Sequence, residues 1–118
     1  MTNDEIICGA LAPMGLPVAE NVYRGAEEDY FVYTLIHEAP AVQADDEETE
    51  TKAEYYVILF TRKPPGPMKR RAKALLKAAG IGVDSVNPVD YTDGTSERWQ
   101  VAFDCFILNN EEAETDGV

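Results

Sequence analysis

Six consecutive apolar residues, Tyr55-Tyr56-Val57-Ile58-Leu59-Phe60, limit the chain more than any other feature. A short run rich in aromatic and β-branched side chains reads as a strand. Apolar groups on both alternating faces suit the middle of a sheet. Two other stretches offer it neighbours. Tyr30 to Ile36 is again aromatic and β-branched. Trp99, Val101, Phe103, Cys105 and Ile107 alternate with Gln100, Ala102 and Asp104, which gives one buried and one largely polar face. Ile81, Val83 and Val86 open a further strand, bulged or ended near Asn87-Pro88.

The sheet needs cover, and two segments supply it. Pro64-Pro65-Gly66-Pro67 turns the chain into a helix over 67–79, with Pro67 at its first position and Gly80 just past its end. Met68, Ala72, Leu75, Leu76 and Ala79 fall on one arc, and Lys69, Arg70, Lys73 and Lys77 cover the far side. At the N-terminus, Thr2-x-x-Glu5 has the form of a capping box, followed by Ile6, Ile7, Ala10, Leu11 and Met14 on one side of a helix. Pro13 and Gly15-Leu16-Pro17 end that helix near Ala12. Val18 to Tyr23 reads as an extended link, and Asp93 to Ser96 as a turn. The order α-β-β-α-β-β predicts one α+β domain spanning 1–118. Its four-stranded, mostly antiparallel sheet is covered by one main helix and a short N-terminal one. Residues 38–53 are acidic and poor in large apolar groups, so they read as a long loop or hairpin tip. Residues 109–118 read as a frayed acidic tail.

Charge is the strongest compositional signal. The net value of −12 keeps a protein soluble and repels free nucleic acid and anionic membranes. Its distribution is uneven. Arg62, Lys63, Lys69, Arg70, Arg71, Lys73 and Lys77 lie in a stretch without any acid, while acids gather in Glu38, Asp45, Asp46, Glu47, Glu48, Glu50 and Glu54 and again after Asn110. A chain with a basic patch and an acidic one can attract its own copies head to tail. Lys69, Arg70 and Lys73 on one side, and Asp45, Asp46, Glu47, Glu48 and Glu50 on the other, are therefore the candidate subunit or partner contacts.

Catalytic chemistry finds little support. His37 is the one histidine and sits at a strand end without partners for a nucleophilic or zinc site. Ser85 and Ser96 lie in turn-like contexts outside any serine-nucleophile motif. Gly80-Ile81-Gly82 lacks a third glycine and follows a helix rather than a strand, which opposes a phosphate loop. The acidic run at 45–50 lacks the glycine and ligand spacing of a calcium loop. Cys8 and Cys105 each fall within an apolar pattern and read as buried small hydrophobes. No enzyme activity, cofactor or metal is expected, and Met1 to Glu5 has neither the positive nor the apolar region of a secretory signal.

The assembled order resembles a known family. A short N-terminal helix leads to Gly15-Leu16-Pro17-Val18, then to Asn21-Val22-Tyr23-Arg24-Gly25 and an aromatic strand beginning Asp29-Tyr30-Phe31-Val32-Tyr33. Tyr55 to Phe60, a basic helix ending Leu75-Leu76-Lys77-Ala78-Ala79-Gly80, and a closing Trp99 to Phe103 complete the pattern. Over residues 3–108 this is similar to the small tail-terminator, or tail-completion, proteins of long-tailed phages and their prophage relatives. The resemblance implies a ring, usually hexameric, that ends tail-tube growth and joins the tail to the head connector. Its implied partners are copies of itself, the tail-tube protein and the connector. DNA would pass through the lumen without a specific binding site, and no membrane is involved. The implied location is the host cytoplasm during assembly and then the virion tail. Other readings stay open: another head–tail connector, a minor tail component, or a small acidic binding or regulatory module that takes a basic partner.

Overall fold

The computed structural model describes residues 2–40, 50–92 and 97–110. The acidic run 41–49, the turn 93–96 and the tail 111–118, each assigned a role from the sequence, lie outside these residues. Helix α1 spans Asn3–Leu11. Its capping box is reciprocal: the Glu5 amide donates to Thr2 Oγ1 at 3.1 Å, and the Thr2 amide donates to Glu5 Oε1 at 2.9 Å. Such a cap contributes about 1 kcal/mol. Ile7, Ala10 and Leu11, at the i, i+3, i+4 spacing of one face, are buried. The chain continues through a single 3₁₀ turn, Ala12–Met14, and Gly15 closes it at φ 74°.

Strand β1, Val18–Glu20, corrects the four-strand expectation. It pairs parallel to strand β2, Tyr30–Pro40, with Val18 opposite Phe31 and Glu20 opposite Tyr33. Three residues are too few to show a period of two, so a sequence reading sees only an extended link. After β1 the backbone reverses at Asn21, which takes a left-handed φ of 67° and donates its amide to the Tyr33 carbonyl at 2.8 Å. Asparagine tolerates that conformation better than other side chains.

Strand β3, Glu50–Thr61, is central, as its sequence requires. The sheet order is β1-β2-β3-β5-β4, where β4 spans Gly82–Thr92 and β5 spans Glu97–Asn110. All pairings except that of β1 are antiparallel. The register places Tyr33 opposite Val57 and Val57 opposite Phe103, so three buried side chains from neighbouring strands form one row. Among the described residues the fold is α+β with two α-helices and five strands.

Strand pairing enters the stretch 38–53, read as a long loop or hairpin tip, from both sides: Glu38, Ala39 and Pro40 of β2 face Ala53, Lys52 and Thr51 of β3. Likewise Asn109 and Asn110, assigned to a frayed tail, close β5 opposite Thr51 and Glu50. Asn109 is held further by Asn3. Their side-chain amides exchange two hydrogen bonds, at 3.2 and 3.1 Å. Strand β4 neither ends nor bulges at Asn87-Pro88. Its irregularity lies at Asp84, between Val83 and Ser85, and the strand runs through Pro88. β4 is an edge strand, where a missing amide donor can face away from the sheet.

Helix α2 spans Gly66–Ala78 and lies with α1 over one face of the sheet. Its C-terminus is a Schellman motif: Gly80, at φ 87°, donates to the Lys77 carbonyl, and Ile81 donates to that of Leu76. Ile81 and Leu76 are both buried and share the core, the apolar contact that accompanies this motif. Ala72 and Leu76 are the buried face of α2, while Met68 and Leu75 are half-buried. Ala79, expected on the apolar arc, is exposed because it is the cap residue rather than part of the last turn. The core joins these residues to Phe31, Tyr33, Tyr55, Val57, Leu59, Val101, Phe103 and Cys105. Each fully buried large apolar side chain contributes roughly 1.5–3 kcal/mol. Buried Thr61 has its hydroxyl satisfied by the Lys63 amide at 3.1 Å and directed at Met68 Sδ at 3.8 Å.

Candidate functional site

Both helices cover the same face, and among the described residues no element covers the other face of the sheet, called the bare face below. Its residues are those between the core positions: Tyr30, Val32 and Thr34 on β2, Tyr56, Ile58 and Phe60 on β3, and Ala102, Asp104, Phe106 and Leu108 on β5. The register sets them in rows, with Val32, Ile58 and Ala102 in one and Thr34, Tyr56 and Asp104 in the next. Val32 is buried and the rest are half-buried or exposed. Tyr56 is 45% and Leu108 49% accessible, whereas Val57 and Phe103 on the covered face are at 0%. The apolar run of β3 thus fills a core with one set of side chains and lays the other on the surface. A row of large apolar groups there is the usual mark of an interaction surface.

Three aromatic rings build one end of this face. Tyr23, from the segment after β1, lies 4.3 Å from the Tyr30 ring, and Tyr30 lies 5.0 Å from Phe60. Tyr23 is fixed there because its hydroxyl accepts the Glu27 amide at 3.1 Å. The other end carries charge. Lys52 Nζ is 3.6 Å from Glu54 and 4.7 Å from the centroid of the Phe106 ring. Asp104 lies in the middle of the face, and His37 of β2 is exposed opposite Glu54.

On the far side of the molecule α2 presents its cations. With Ala72 and Leu76 inward, 100° per residue sets Arg70, Ala74 and Lys77 along the outward crest, and all three are exposed. Of the residues singled out from the sequence, Arg70 is on that crest and Lys73 flanks it. Lys69 is half-buried nearer the sheet and donates its amide to the Pro65 carbonyl at 2.7 Å. Asp45, Asp46, Glu47 and Glu48 lie outside the described residues. Glu50 opens β3 opposite Asn110. The bare face was not among the expected sites. Its signal was present in Tyr56, Ile58 and Phe60, but a strand apolar on both sides reads equally as one covered on both sides.

Asp4 and Glu20 lie near both Tyr33 and Tyr55, and Glu38 near Tyr55. Burial raises the Tyr33 hydroxyl above the ordinary tyrosine range, with Cys8, Asp4 and Glu20 adding to it. Burial also raises Tyr55, with Asp4, Glu38 and Glu20 in support, against the Asn3 hydrogen bond that opposes it. Cys105, buried beside Asp104 and Asp84, is pushed up to about 12. Both cysteines are free thiols. An open cleft of about 480 Å³ lies between Leu16, Glu27, Glu28 and Asp29 on one side and Arg62 and Lys63 on the other. The Arg62 amide donates across it to Asp29 Oδ1 at 3.0 Å. Among the described residues no cluster of three or more His, Cys, Asp or Glu side chains could hold a metal ion. No helix among them is long and apolar enough to cross a membrane.

No protein-family model matches the chain. No curated protein matches it either. Among solved structures, it is similar to a chain of the virion of a native gene transfer agent particle. The likeness has a TM-score of 0.50 at 15% identity and covers 85% of this chain and 84% of that one. At that identity it is a likeness of fold.

Proposed function

We propose that this chain is a structural component of a phage-like virion, working by assembly rather than catalysis. The observation that carries this reading is the bare apolar sheet face on a chain whose whole fold resembles that of a virion protein. A chain that keeps Tyr56 and Leu108 in water has a use for them in a contact. Segregated charge supports the same idea, because cations along α2 with acids elsewhere on the chain favour a head-to-tail contact between copies.

Within that class the role proposed is a tail terminator or completion ring that ends tail-tube growth and joins tail to head connector. Its partners are then further copies of itself, the tube protein and the connector, and it moves from the host cytoplasm to the virion tail. The sequence pattern from Gly15 to Phe103 supports this finer reading. The test is loss of the chain from cells that assemble the particle, with the products seen by electron microscopy. Tails of irregular length, detached from heads, are expected. Tails of normal length that fail to join would move the role to a connector. Normal joined particles would overturn the proposal.

A further inference from the structure

We propose that the bare sheet face is covered by helix α2 of a second copy, so that each copy supplies the helical layer its neighbour lacks. This rests on the assembly reading above and names the two surfaces that would meet.

The face and the helix complement each other in charge and chemistry. The face is a floor of apolar groups, chiefly Tyr56, Ile58 and Phe106, with Glu54 and Asp104 set into it. An occupant must bring apolar contact and positive charge together. The α2 crest does so. Arg70 and Lys77 carry long aliphatic stems that can lie on rings while their charged ends reach carboxylates. Ala74 between them lets the helix approach closely. No acid occurs between Arg62 and Val83. Among the described residues no ion pair joins the α2 cations, and the one ion pair present is Lys52 with Glu54. The face already holds one cation on a ring, that of Lys52 over Phe106. Arginine is well suited to a second such contact.

Geometry then decides the kind of assembly. The crest and the bare face lie on opposite sides of one sheet, so one copy cannot satisfy both within itself. A contact between them is heterologous, and repetition gives a ring or a filament rather than a two-fold dimer. Of the cations expected from sequence to make a subunit contact, Arg70 takes part in this one.

The test is cysteine cross-linking in the full chain, with the unmodified protein as reference for Cys8 and Cys105. Tyr56→Cys and Ala74→Cys are both at exposed positions. Mixed under mild oxidation, the two variants are expected to give a disulfide-linked dimer that neither gives alone. Strong cross-linking of Tyr56→Cys alone would show sheet faces meeting each other and would overturn the proposal. Failure of the mixture while the unmodified chain still forms an oligomer would overturn this contact and leave the assembly reading standing. Absence of any oligomer would count against both. As a second measurement, Arg70→Glu with Lys77→Glu is expected to raise the concentration needed for association by about tenfold or more. Mixing with Asp104→Lys should recover part of that loss, and no change in either would contradict the proposal.

Discussion

Lys52 holds its ammonium 4.7 Å from the centre of the Phe106 ring, one β-ladder row from the Glu54 carboxylate it also contacts. Glu54 and Phe106 are cross-strand neighbours, so the cation bridges a carboxylate and a ring on the uncovered side of the sheet. A side chain 37% accessible gains little from such an exposed pair. What the arrangement displays is a surface able to take positive charge on aromatic groups.

The two faces should respond differently to substitution. Tyr56→Ser and Phe106→Ser remove groups that contact water in the single chain, so stability should change by about 0.5–1 kcal/mol. Association should fall sharply. Leu59→Ala, at 0% accessibility, should cost roughly 2–5 kcal/mol. Urea denaturation together with sedimentation checks this. Equal loss of stability at Tyr56 and Leu59 would mean that the face is not bare.

Alkaline pH should unfold the chain. Tyr33, Tyr55 and Cys105 all have their protonated forms favoured in the folded state, with burial as the leading cause. Their contribution is complete below the ordinary thiol and phenol values and is lost as pH rises past them. For Cys105 that window runs from 9.0 to about 12. Thermal melts should be insensitive to these groups near neutrality and should fall progressively above pH 9, less steeply so in Cys105→Ala. A flat profile to pH 11 would contradict the assignment.

The Asn3–Asn109 exchange ties the start of α1 to the end of β5. Either alanine substitution should cost about 1 kcal/mol, and the pair should show a coupling of roughly 0.5–1.5 kcal/mol in a double-mutant cycle. Additive losses would mean that the amides act separately.

Gly80 sits at φ 87° as the residue past α2. Gly80→Ala should destabilise by about 1 kcal/mol from backbone strain alone, since nothing lies near enough to clash with a methyl there. Gly82→Ala differs, because its methyl would run into the Phe106 ring. That ring must move off its place beneath Lys52, so its measurable effect should be on association. Chemical denaturation of both variants, beside the sedimentation of Gly82→Ala, separates the two.

Strong local chemistry made some elements readable in sequence. Pro67 and Gly80 bracket α2 to within a residue, and Thr2 with Glu5 fixes the start of α1. Six apolar residues made β3 central. β1 was not legible, because three residues carry no period and its pairing depends on where β2 lies. The ends of β2, β3 and β5 were hidden by polar side chains, which a strand tolerates once its neighbours hold the ladder, as at Glu38, Lys52 and Asn109. The bare face was missed for a different reason. Sequence shows that Tyr56 and Val57 point opposite ways, but not which of them a helix covers.

The most direct test of the central claim is the solution mass of the full chain by light scattering, over a wide concentration range, with and without magnesium. Head-to-tail contacts that close a ring predict one discrete multiple of the 13.0 kDa chain, near six copies, that sharpens as concentration rises. A strict monomer at every concentration, or a simple two-fold dimer, would contradict it.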